Sequence, residues 1–108
     1  MANRYRGEID AVIGGERRVL VLTLGALAEL ESAFGASDLV DLAERFGRGR
    51  MSARDIIRII GAGLRGAGER ISDAEVASLA MDGGVQEFVR VAAALITATF
   101  EPPAPATG

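Results

Sequence analysis

The chain contains no cysteine, no histidine and no lysine, and only 5% of it is aromatic. Without cysteine there is no disulfide framework and no thiolate site. Without histidine the commonest general base and the commonest transition-metal ligand are missing. Scarce aromatics oblige the core to be built from Leu, Ile, Val and Ala. Long apolar runs are missing too: Val85 to Phe100 is interrupted by Gln86, Glu87 and Arg90, and Met1 to Gly7 is polar. No signal peptide or membrane span is therefore expected, which points to a soluble, cytoplasmic protein.

What is present suits one small globular domain. The 108 residues are 49% hydrophobic, too apolar for disorder. The domain is expected over 1–100, with 101–108 a disordered Pro/Ala tail. All twelve basic residues are arginine, which together with the abundant Ala and Gly fits a GC-rich genome. The net charge of −3 argues against a general nucleic-acid binder. The charge is nevertheless banded, with seven Arg against two acids over 45–70 and acidic arms on either side. Self-neutralisation within the fold is the favoured explanation, ahead of an acidic protein partner and of nucleic acid.

The patterning predicts a mainly α protein with a small β part. Gly7 to Thr23 reads as a hairpin, with strands at about 4–13 and 17–23 around the Gly14-Gly15 turn. The second strand is apolar on both faces. About five short helices follow, at 24–34, 38–46, 52–66, 73–80 and 85–99. Thr23, Ser37 or Asp38, Ser52 and Ser72 are the candidate N-caps, and Gly35 the first C-terminal stop. Ser52 with Asp55, and Ser72 with Glu75, have capping-box spacing, and Ile71 with Val76 has the spacing of a hydrophobic staple.

The third helix contains a literal GxGxxG, Gly61-Ala62-Gly63-Leu64-Arg65-Gly66. A dinucleotide site needs a strand before this motif and a second parallel strand after it. Here a helix cap precedes it and a fresh cap follows it. The favoured reading is a helix whose small residues let a neighbour approach closely. Ser32, Ser37, Ser52, Ser72 and Ser78 have no His or Lys to activate them. The acid pairs Asp38/Asp41 and Asp73/Glu75 suit helix N-termini. No cofactor and no metal site is expected, nor an enzyme.

Several blocks occur in order: Leu22-Thr23-Leu24-Gly25-Ala26-Leu27-Ala28-Glu29-Leu30-Glu31, Ala33-Phe34-Gly35, Leu42-Ala43-Glu44-Arg45-Phe46, then Gly49 to Arg58 and Ile60 to Gly68. Together they resemble the tail assembly chaperones of gene transfer agents and related siphophages of alphaproteobacteria, a family whose members are sometimes labelled tail tube proteins. The resemblance runs from about Arg4 to Phe100. It implies a small helical protein, without catalytic residues, that works in the cytoplasm of the bacterial host cell. It also implies two partners: the tape measure protein, which such chaperones coat and keep soluble, and the tail tube protein, which they help recruit.

A chaperone of this kind needs an apolar groove. The expected walls are the last helix, through Phe88, Val89, Leu95 and Ile96, and the third helix, through Leu64, with Arg54, Arg58 and Arg65 on the rim. The alternative is a structural tail component, a tube or terminus subunit retained in the particle, in which Val19 to Leu22 pairs edge to edge between subunits. A homo-oligomer fits either reading. A small DNA-binding regulator ranks below both, and a membrane partner is not expected.

Overall fold

The computed structural model describes residues 7–48, 51–79 and 84–100. Strands β1 (Ile9–Ile13) and β2 (Glu16–Leu20) pair antiparallel, from Ile9 opposite Leu20 to Ile13 opposite Glu16. The turn between them needs positive φ at both central residues, and Gly14 (64°) and Gly15 (81°) supply it. Ile9, Ile13 and Leu20 lie on the inner face and are buried. The returning strand is shorter than expected. It ends at Leu20, opposite the first residue of β1, and the outward-facing N–H of Val21 donates to the carbonyl of Gly63, at 3.0 Å. Residues 4–6 of the expected first strand lie outside the described residues.

Helices α1 (Leu24–Phe34), α2 (Leu39–Gly47), α3 (Ala53–Gly66), α4 (Asp73–Ser78) and α5 (Gly84–Phe100) follow the expected order. Their ends are set by local chemistry. Thr23 Oγ1 accepts from Ala26 N–H at 3.1 Å, and the left-handed Gly35 lets Ala36 N–H donate back to Glu31 O at 2.9 Å. Asp38, not Ser37, caps α2, taking Asp41 N–H at 2.8 Å. Ser37 instead donates its own N–H to Asp41 Oδ2 at 3.0 Å. Both capping boxes, Ser52/Asp55 and Ser72/Glu75, are complete. Helix α4 ends at Ser78, two residues before its expected end, because Leu79 is extended.

Helix α3 is the hub. It packs against α1, α4, α5 and β2, and Ile59, Ile60, Ala62 and Leu64 are fully enclosed. Burying each of its large aliphatic side chains is worth about 1.5–3 kcal/mol. The GxGxxG segment is continuous helix, and each glycine admits a different neighbour. A Cβ on Gly61 would strike the Asp73 carboxylate at the start of α4. One on Gly63 would lie 2.6 Å from Leu95 Cδ2 and 3.2 Å from Leu20 Cβ. One on Gly66 would strike the main-chain carbonyl of Val21. Thus the glycines set the depth at which β2, α4 and α5 sit on α3.

Candidate functional site

Three arginines of the central band, Arg45, Arg58 and Arg65, are committed to the fold. Arg65 is half-buried. It donates to Ile71 O and to Asp73 Oδ1, each at 3.0 Å, and also to Glu29. Burial works against its charge, but the bonds to Glu29 and Asp73 outweigh it and raise its pKa. Arg58 donates to Ala33 O at 3.1 Å, and Arg45 to Phe34 O at 3.0 Å. These carbonyls are left over at the end of α1, which has no basic residue in its own last turn. Arg54 and Arg48 are exposed and have no hydrogen-bonding or charged partner among the described residues.

The apolar members of the expected groove are also divided. Leu64 and Leu95 are fully enclosed in the core. Phe88 and Ile96 are half-buried against it, and Val89 is 42% exposed. Helices α3 and α5 pack directly on one another through Gly63 and Leu95, so the space expected between them is filled.

An apolar surface does remain on α5. At 100° per residue, Val85, Val89, Ala93, Ile96 and Phe100 share one arc of the helix. This arc borders the buried one formed by Val91, Ala92 and Leu95. Val85 is 77% exposed, Ala93 is exposed, and Ile96 and Phe100 are half-buried. The apolar face of α5 is thus wider than the part the core covers. Val85 escaped the sequence reading, although it stands one helical turn before Val89.

The second available surface is the outer edge of β2. In a hairpin with a two-residue turn the pair flanking the turn exchanges hydrogen bonds, and alternate pairs follow. The main-chain groups of Arg17 and Val19 therefore point away from β1, on the same side as the Val21 N–H that reaches Gly63. A trough runs beside this edge, lined by Glu8, Val19, Val21, Leu22, Thr23, Gly66 and Ala67. The inner face of β2 holds an unexpected residue, Arg18. Its side chain, 16% exposed, donates to Ile13 O at 3.0 Å and pairs with Glu69 and Glu16. Strict alternation with Leu20 places it on that inner face.

The acid pairs serve the backbone, as expected. Asp38 caps α2, Glu75 closes a capping box and Asp73 pairs with Arg65. Asp41 has its pKa lowered, chiefly by the Ser37 N–H and further by Arg45, against the opposing effect of desolvation. Among the described residues no group of three or more acids, His or Cys could hold a metal. None of their helices is long and apolar enough to cross a membrane.

The described residues thus form a small, mainly α fold whose available apolar and main-chain surfaces are the outer arc of α5 and the edge of β2. The family described as phage tail tube protein, GTA-gp10, matches residues 6–102, and the chain belongs to it. It is a non-enzymatic, phage-tail-associated protein. No curated protein matches the chain, and no solved structure does.

Proposed function

We propose that this protein is a structural component of a phage-like tail, a tube or tail-terminus subunit that stays in the particle. The observation that carries the reading is the outer edge of β2 at Arg17 and Val19, which no strand covers among the described residues. An exposed strand edge is a template for another strand, and proteins that keep one usually have a use for it. Val19, half-buried on this strand, is the apolar side chain that an added strand would meet. The expected partner is then a second copy or another tail subunit. Mass spectrometry of purified particles tests it: the protein should be present in fixed ratio to the other tail proteins, and its absence would reject the reading.

The second reading, favoured by the wide apolar arc of α5, is a tail assembly chaperone. In that role the Val85–Val89–Ala93 stripe holds a helix of the tape measure protein until assembly, keeps it soluble, and helps recruit tail tube subunits. The contact is then on the outer side of α5, not between α3 and α5. A tagged pull-down from particle-producing cells should recover the tape measure protein, with tube subunit at lower yield. Val85→Asp combined with Val89→Asp should abolish that recovery without lowering the melting temperature. Recovery unchanged in this variant would exclude the stripe.

A further inference from the structure

The outer edge of β2 is short and closed at one end. Hydrogen-bonded pairs alternate along the hairpin, so Arg17, Val19 and Val21 turn their main-chain groups outward. The N–H of Val21 is already taken by Gly63 O at 3.0 Å, and Gly66 packs on the carbonyl of the same residue. A strand laid on this edge therefore meets the N–H and C=O groups of Arg17 and Val19, and then the end of α3. Past that point lies the trough bounded by Val21, Leu22, Thr23, Gly66 and Ala67. The edge thus fits a strand that pairs through two residues and then ends in something small.

The hairpin of this chain is such a strand. Its β2 has the same two outward residues, Arg17 and Val19, and is preceded by the turn Gly14-Gly15, which has no side chains. A Cβ on Gly15 would meet nothing within 4 Å, so that face of the turn is open.

We propose that a second copy of this chain adds its β2 antiparallel to this edge, with Arg17 of each copy opposite Val19 of the other. The inference rests on the reading of the β2 edge given above. In this register the twofold axis passes between the two Arg18 residues, and every outward N–H and C=O of Arg17 and Val19 finds its partner in the other copy. Gly15 falls opposite Val21 and Gly14 opposite Leu22, so each turn enters the trough of the other copy. The neighbouring registers fail. Arg17 opposite Arg17 sets like charges together and leaves Val19 facing the turn. Val19 opposite Val19 brings Arg17 to Val21, whose N–H is spent. Charge agrees with the chosen register. On the outer face, Asp10 and Val19 of one copy share a row with Arg17 of the other, and that arginine side chain is 74% exposed. On the inner face, Arg18 is turned toward Ile13 O and held by Glu69 and Glu16 of its own chain, so its charge is met before the second copy arrives.

The absence of cysteine lets disulfide trapping read the register. Opposed residues of a hydrogen-bonded pair have Cα atoms about 5.5 Å apart, within the span of a disulfide, whereas diagonal ones are about 7–8 Å apart. Under mild oxidation, full-length chains with Arg17→Cys mixed with chains with Val19→Cys should give a mixed dimer, identified by mass spectrometry. Either variant alone should give about tenfold less dimer. Sedimentation of the unsubstituted protein should show a concentration-dependent dimer. Val19→Pro removes an outward donor from each copy and should weaken it about tenfold or more, while Val12→Pro, the same change on the opposite edge of the hairpin, should not. Circular dichroism reports that these variants are folded. A monomer at every concentration, without mixed dimer, would overturn the proposal and assign the edge to another subunit. Either cysteine variant trapping itself better than the mixture would overturn the register. Failure of trapping in a protein that is found in the particle counts against the pairing alone, and trapping in a protein absent from the particle counts against the structural reading alone.

Discussion

Replacing Gly66 by Ala adds one methyl group where the carbonyl oxygen of Val21 already lies. That oxygen belongs to the main chain between β2 and α1, and the adjacent Val21 N–H is held by Gly63 O at 3.0 Å. The obstacle cannot rotate away; β2 or α3 must shift as a body. Overpacking of this kind costs about 1–3 kcal/mol. The gain in helix propensity from Gly to Ala is at most about 1 kcal/mol, and less at Gly66, which is the last residue of α3. Gly61→Ala is the control. There the obstacles are the ends of the Asp73 and Arg65 side chains, and moving them breaks an ion pair whose partners are 42% and 27% exposed. Such a pair is worth about 0–1 kcal/mol, which the propensity gain offsets. Thermal unfolding followed by circular dichroism should place Gly66→Ala about 5–15 °C below the parent and Gly61→Ala within about 5 °C of it. A Gly66→Ala protein as stable as the parent, or less affected than Gly61→Ala, would refute the account of how α3 seats its neighbours.

Leu95→Ala should lose about 2–5 kcal/mol in urea unfolding, since Leu95 is fully enclosed, while Val89→Ala should stay within about 0.5 kcal/mol. Arg18→Ala should cost about 1–3 kcal/mol by leaving Ile13 O and Glu69 without their donor, whereas Arg17→Ala, at an exposed pair with Asp10, should change unfolding little. Asp41 should titrate below its ordinary 3.8 in the folded protein. A folded-state pKa below the unfolded one means that the contribution is present above that ordinary value and fades as pH falls through the folded pKa. The carboxylate shift of Asp41 in an acid titration reads it directly, and Asp41→Asn should remove this part of the acid sensitivity.

The starts of α1 to α4 were legible because each depends on a side chain within three residues of the end it caps. Ser52 with Asp55 and Ser72 with Glu75 need no knowledge of the rest of the fold. The end of β2 was not legible in the same way. Val21 and Leu22 continue the β pattern, but β1 begins only at Ile9, opposite Leu20, and Val21 turns to the carbonyl of Gly63, far along the sequence. The surroundings of the candidate surface were hidden for a related reason. Periodicity put Arg58 and Arg65 on the polar side of α3, which is correct, but it cannot reveal that leftover carbonyls of α1 and the acids Glu29 and Asp73 already wait there. Nor can it separate Leu95 from Val89 on a helix with apolar residues over so wide an arc; only the position of α3 does that.

The closed seam between α3 and α5 limits how this protein can hold a partner. A helix entering between them would have to uncover Leu64 and Leu95, each worth about 1.5–3 kcal/mol in burial, and separate Gly63 from the side chains of Leu95 and Leu20. That is a large share of the ~5–15 kcal/mol that holds a typical domain together. A partner gains that back only by offering an equally good core, which amounts to refolding half the protein around it. The outer arc of α5 and the edge of β2 require no such opening, because Val85, Val89 and the main chain at Arg17 and Val19 already face outward. Contacts made there are smaller and reversible, and because they lie on separate elements both can be occupied at once. Among the described residues both surfaces are open, while Arg45 and Arg58 are held by the carbonyls at the end of α1.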